Sequence, residues 1–298
     1  FIKNYDSPTV YALGFSIGVF ISLFGTFYFG FRFSRDEKST LPDSWNDNKT
    51  LLISALPFAV TLGILPYVTK LEKFLLAGLS SYDDAGLYHV AQLAWIAGLM
   101  LPQAMRAALL PYLGEVREKS ALFSKRMLYA HHWTVAIIPF GLIFGHIVVS
   151  YSIPAFFDSE YSEAVAVFDI LLAGWAITML AIPWYVALQA GHNPWRFTGL
   201  IAMIVLFAGV SGWILIPATG VMGAAWASVI GTSVMLSGAK MLCGDDEKLT
   251  DGIALICIAT CYFLSIGSLL AVIGLLTMIP AWNSIDYLRS RIGIAEEE

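Results

Sequence analysis

RFTGLIAMIVLFAGVSGWILIPATGVMGAAWASVIGTSVMLSGAK, residues 196–240, holds no charged side chain between Arg196 and Lys240. It is broken once, at Ile216-Pro217-Ala218-Thr219-Gly220, where proline and glycine read as a tight turn. A helix crossing the hydrocarbon core takes about 20 apolar residues, and backbone in lipid must satisfy its own hydrogen bonds. The stretch therefore divides into two membrane helices, one on each side of the turn. The second, from Gly220, carries Gly220, Gly223, Ala224, Ala227, Ser228 and Gly231 as a small-residue stripe, suited to close helix packing in lipid.

The rest of the chain extends this reading. Hydrophobic residues make up 58% of the 298 and charged residues 13%, with a mean hydropathy of +0.72. A soluble fold of this length would expose far more apolar surface than one core hides. The composition predicts an all-α, polytopic membrane protein. Its net charge of −5 comes with no basic face or nucleic-acid-binding motif, so no nucleic-acid partner is expected.

Further spans are expected at Thr9 to Phe31, Thr50 to Leu79, Ala85 to Leu113, Trp133 to Ile153 and Ala164 to Ala190. Within Thr50 to Leu79, the charges at Lys70, Glu72 and Lys73 leave two forms open: one long helix, or a span followed by a short hairpin. A basic segment from Arg117 to Arg126 reads as a separate amphipathic helix lying at the interface. The last apolar stretch, Gly252 to Ile285, is long for one crossing and short for two. Prolines at 57, 66, 102, 139 and 183 fall inside spans, where each removes a backbone hydrogen bond and bends its helix. Trp133, Trp195 and Trp282 lie near span ends, where indole anchors at headgroup level.

Lys and Arg accumulate in alternate connections: Arg32 to Lys49, Arg117 to Arg126, Arg196, and Lys240 with Lys248. The connection Pro154 to Glu163 has neither. Cytoplasmic loops carry the excess of Lys and Arg, so the basic connections are expected inside. The opening residues, Phe1-Ile2-Lys3-Asn4-Tyr5-Asp6, have no initiator methionine, basic n-region or cleavage site, so the chain reads as a fragment and not as a signal peptide.

Ionisable groups within spans point to function by default. They are Lys70, Glu72 and Lys73, then Arg106, Asp169 and His89. Lys70 and Lys73 share a helix face, which either meets an anionic substrate or snorkels to the interface. Arg106 is a candidate cavity residue or snorkels likewise, and Asp169 lies close enough to a span end for plain solvation. His89, His131, His132 and His146 have no metal-ligand spacing, and Cys243, Cys257 and Cys261 form neither a disulfide framework nor a metal pattern. No metal site is expected. Walker A, nucleophile-elbow, zinc-protease and Asp-rich pyrophosphate motifs are all missing, so the chain does not read as an enzyme.

Five stretches in order carry a resemblance: Ala55-Leu56-Pro57-Phe58 with Lys70-Leu71-Glu72-Lys73-Phe74-Leu75-Leu76-Ala77-Gly78; Ala85-Gly86-Leu87-Tyr88-His89-Val90-Ala91; Leu109-Leu110-Pro111-Tyr112-Leu113; Phe157-Asp158-Ser159-Glu160-Tyr161; and Ile216-Pro217 through Gly220, Gly223, Ala224, Ala225 and Ala227. Together they resemble the second lobe of the multidrug/oligosaccharidyl-lipid/polysaccharide (MOP) exporter superfamily, in its polysaccharide-biosynthesis branch with the O-antigen flippases. The resemblance implies a six-helix lobe over residues 50–243. Residues 1–33 would be the last helix of a first lobe, 34–49 a cytoplasmic interlobe linker, and 244–298 extra transmembrane segments and a cytoplasmic tail.

It also implies a multi-pass protein of the cytoplasmic membrane that flips a polyprenyl-pyrophosphate-linked oligosaccharide by alternating access. No cofactor is implied; a proton or sodium gradient would supply the driving force. Lys70, Lys73 and Arg106 are then candidates for the pyrophosphate, with Glu72 and Asp169 for ion coupling or ion pairing. Arg106 departs from the small or hydroxyl residue expected at its position, so its role rests on its chemistry alone. Expected partners are the lipid-linked oligosaccharide, membrane lipid, and the polysaccharide polymerase and glycosyltransferases of the same pathway. Two rivals stand beside this reading. One is a cation-coupled drug exporter or peptidoglycan-precursor flippase of the same superfamily. The other is an integral-membrane polymerase or glycosyltransferase, which would call for a large outer loop with catalytic Arg, Asp or His.

Overall fold

The computed structural model describes residues 45–157, 159–191, 193–244 and 281–288. The expected span Thr9 to Phe31, the linker before residue 45 and most of Gly252 to Ile285, with Cys257 and Cys261, lie outside the described residues. Two compact units divide the chain, Phe1–Ser54 and Ala55–Glu298. Of the first, residues 45–54 are described and are helical. All that follows concerns the second.

The helices are α1 (Trp45–Ile64), α2 (Tyr67–Leu79), α3 (Tyr82–Gly98), α4 (Met100–Gly114), α5 (Ser120–Phe156), α6 (Glu163–Ala190), α7 (Pro194–Thr219) and α8 (Val221–Cys243), with a short α9 at 281–288. Five segments are long and apolar enough to cross a membrane: α3 with α4 as one, then α5, α6, α7 and α8. The chain is an all-α, multi-pass membrane protein.

Helix α6 is the axis of the bundle and packs against α3, α4, α5 and α8. After Glu163 its only charge is Asp169, and a helix apolar all round has no face to give to water. Buried residues accordingly run almost without interruption from Val167 to Leu188.

The α7/α8 pair is held by absent side chains. A Cβ on Gly223 would lie 2.5 Å from the Leu215 carbonyl oxygen, one on Gly231 3.1 Å from Ala208 Cβ, and one on Gly238 2.7 Å from Leu200 Cδ1. The small-residue face lets the two backbones approach, and dispersion between close-packed surfaces holds helices together in lipid. The turn joining them is shorter than expected. Helix α7 runs through Pro217 to Thr219, because that proline removes only the bond its own N–H would have made to the Trp213 carbonyl. Gly220 alone reverses the chain, at φ 58° and ψ −132°, with its N–H donating to Ile216 O at 2.8 Å.

The separate interfacial helix expected from Arg117 to Arg126 is not formed. From Ser120 to Phe156 the chain is one 37-residue helix, because no Pro or Gly intervenes between Lys119 and Pro139 to end it. Arg126 reaches back to the α4 end, 3.1 Å from Glu115 Oε2 and over the Tyr112 ring at 4.2 Å.

Two of the expected spans are interrupted, the first being one of the two forms left open for Thr50 to Leu79. Thr50 to Leu79 breaks at Leu65–Pro66, and Ala85 to Leu113 breaks at Leu99. Proline explains both: Pro66 and Pro102 lack the N–H that would have bonded to the carbonyls of Leu62 and Gly98. The Gly98 carbonyl is claimed by Trp175 Nε1 from α6 at 2.9 Å. That indole fits only because residue 141 on α5 is glycine, where a Cβ would lie 2.0 Å from the ring. Thus α5, α6 and the α3/α4 break are fastened at one point.

Candidate functional site: a cavity at two helix breaks

Both breaks open onto the same space, a cavity of about 470 Å³. Leu62, Leu65, Pro66, Thr69 and Glu72 line it from the first break, and Trp95, Leu99, Pro102, Gln103 and Arg106 from the second. Helix α6 closes it with Thr178, Ile182 and Tyr185, and α7 and α8 add Ile204, Ala208, Ser228, Gly231 and Thr232. Irregular backbone at membrane depth is tolerated where it lines a cavity and not where it meets lipid. Here the broken helices supply the cavity wall.

Arg106 is the cation of this site. Its Nε donates to Gln189 Oε1 at 3.0 Å and its Nη1 to Gln103 Oε1 at 3.5 Å, while the guanidinium lies 5.6 Å from the Tyr185 ring centroid. Arginine has five N–H donors, so these bonds orient the group and leave donors for an anion.

Glu72 is the carboxylate. It is 2% exposed, and its Oε2 has no hydrogen-bond partner. Beside it stand Tyr88, fully buried, and Ser228 of α8. One turn below, Gln92 Nε2 donates to Thr69 O at 2.8 Å and leaves its own Oε1 unpaired. Trp95 Nε1 is likewise buried without a partner. Thr178 and Thr232 donate to carbonyls of their own helices, Gly174 O and Val229 O, each at 2.9 Å. Their oxygens remain available as acceptors.

Of the residues singled out from sequence, Arg106 and Glu72 come together in this cavity. Lys70 and Lys73 are outside its lining: Lys70 is exposed, and Lys73 Nζ donates to His89 Nδ1 at 2.6 Å. These two lysines and His89 form a separate patch across α2 and α3. Asp169 is also elsewhere, paired to His146 of α5 at 2.9 Å. Gln92, Trp95, Gln103, Tyr185 and Gln189 join this region although none of them carries the charge that marks a site in an apolar span. Glutamine within an apolar span is a readable signal, since an amide in lipid also needs partners.

Fold and site define a multi-pass α-helical membrane protein with a largely apolar cavity that carries a few polar groups, Arg106 and Glu72 among them. No protein-family model, curated protein or solved structure matches the chain.

Proposed function

We propose that this chain is a transport lobe of a MOP-type flippase, carrying a polyprenyl-pyrophosphate-linked oligosaccharide across the cytoplasmic membrane by alternating access. The observation that carries the reading is the cavity at the junction of two broken helices, with Arg106 held open in its wall. Transporters bind substrate near the midplane between discontinuous helices, where a charge is retained only for use. A pyrophosphate entering that space needs a cation, and Arg106 offers oriented donors in place of the lost water.

Glu72 is the coupling carboxylate in this account, taking a proton or a sodium ion from the gradient. Asp169, paired to His146 away from the lining, plays a structural part. Lys70 and Lys73 meet the anionic headgroup only outside the cavity, on its way in or out. The lipid tail stays in the bilayer while the headgroup crosses, and polymerase and glycosyltransferases of the pathway act before and after.

Deleting the gene tests the reading. Lipid-linked oligosaccharide should accumulate on the cytoplasmic leaflet, and a wild-type copy should clear it where an Arg106→Gln copy, inserted equally well, does not. No accumulation in the deletion strain contradicts the proposal.

A further inference from the structure

The cations left outside the cavity form a patch of their own on the exposed side of α2 and α3. Lys70 and His89 are exposed, Lys73 is half-buried, and Lys73 Nζ lies 2.6 Å from His89 Nδ1. An ammonium can only donate, so Nδ1 is the acceptor, and the exposed ring keeps its proton on Nε2 as a further donor. Lys70 adds a like charge on the same helix face. Among the described residues neither lysine is paired to a carboxylate. Glu72 is buried and lines the cavity, and Asp83 and Asp84 stand in the first turn of α3, where Asp84 accepts from Ser80. A patch that gathers donors in this way is complementary to an anion.

Its depth narrows the anion. The crossing Tyr82–Gly114 is 33 residues long. That is about 50 Å at 1.5 Å per residue, whereas the hydrocarbon core is about 30 Å thick, so about 10 Å at each end stands among headgroups. His89 is about 10 Å along α3 from Tyr82, and Lys73 is level with it across the hairpin. The patch therefore sits at the boundary where phospholipid phosphates lie. From there toward the break at Leu99, Leu93 and Ile96 follow His89 at i+4 and i+7 on one helix face, and both are exposed. Cations at headgroup level beside an exposed apolar face match the two halves of a phospholipid.

We infer that this patch holds a membrane phospholipid of net negative charge, its phosphodiester between Lys70, Lys73 and His89 and an acyl chain along Leu93 and Ile96. A zwitterionic lipid brings a choline or ethanolamine cation with its phosphate, which two lysines repel; phosphatidylglycerol brings none. The α2/α3 turn lies across the Tyr82–Gly114 crossing from the basic connection after α4, so the lipid belongs to the leaflet opposite that connection. The inference stands on the patch and not on what the cavity carries. Under the transport reading, a passing headgroup displaces this lipid.

The test is native mass spectrometry of the full-length protein in detergent, titrated with phosphatidylglycerol and, separately, with phosphatidylcholine of the same acyl chains. The wild type should bind phosphatidylglycerol at least tenfold more tightly. Lys70→Gln and Lys73→Gln should each cut that preference about fivefold, the attraction of one basic side chain to anionic lipid. Lys119→Gln with Lys125→Gln, exposed cations on the other side of the crossing, should leave it unchanged. Equal affinities for the two lipids in the wild type overturn the site, and this result needs no variant to fold. A preference untouched by either Lys70→Gln or Lys73→Gln also overturns it, as does one lost equally on removing Lys119 and Lys125, which would make it a general response to charge. Displacement of bound phosphatidylglycerol by equimolar inorganic pyrophosphate overturns the lipid as occupant in favour of a soluble anion.

Discussion

The α7/α8 pair and the α1–α4 half of the bundle solve the same problem in opposite ways. Helices α7 and α8 carry no charge from Phe197 to Ala239, meet through Gly223, Gly231 and Gly238, and turn on one glycine. The α1–α4 half is broken twice by proline and keeps an arginine, a carboxylate and unpaired amide and indole atoms at its centre. Packing without polar atoms makes a rigid wall. Broken helices make room, and the cavity lies between them.

The contrast is broken most forcefully from the packed side. Gly141→Val puts methyl groups where the Trp175 ring stands, with even a Cβ only 2.0 Å away. Overpacking of that kind costs about 3 kcal/mol, the largest loss of stability among these variants. The measurement is the monodisperse fraction after heating in detergent.

Trp175→Phe is the next largest. It fills most of the same space but leaves the Gly98 carbonyl without its 2.9 Å donor, at a cost of about 1–2 kcal/mol. Because that bond fastens the break at Leu99, ligand affinity at Arg106 should fall along with the melting temperature.

Glu72→Gln sharpens the comparison from the other side. Removing a buried carboxylate with an unpartnered oxygen should leave stability within about 1 kcal/mol, or raise it, while transport is lost. A large loss of stability would make Glu72 structural and remove it from the site. Lys70→Gln is the smallest: an exposed surface cation should shift stability by less than about 0.5 kcal/mol, read as melting temperature.

Sequence and structure agree best where one physical rule acts alone. Length and apolarity place α6, α7 and α8 to within a few residues, because a span free of charge has no competing outcome. The α5 start lies earlier than expected: the polar face of Arg117 to Arg126 reads as interfacial, although nothing in the sequence stops the helix from continuing into the span. Prolines were all visible, but only Pro66 and Pro102 sit at breaks, while Pro57, Pro111, Pro139 and Pro183 lie within unbroken helices. At Leu99 the freed Gly98 carbonyl is received by Trp175, which is 77 residues away in the sequence.

The site was legible in part for the same reason. Arg106 and Glu72 stand out as charges in apolar helices, and both line the cavity. Lys70 and Lys73 stand out equally. Yet one residue of rotation on α2 separates Glu72, turned inward, from Lys73, turned toward His89. Helix phase relative to its neighbours decides this, and no single-residue property encodes it.

The most direct measurement is water access to the space between the breaks. With Cys243, Cys257 and Cys261 replaced by serine, Thr178→Cys should react in intact membranes with a charged, water-soluble thiol reagent, and inorganic pyrophosphate should slow that reaction. Ala176→Cys, fully buried on the same helix, should not react. Equal inertness at both positions would contradict the account, since the cavity would then be closed to any polar substrate.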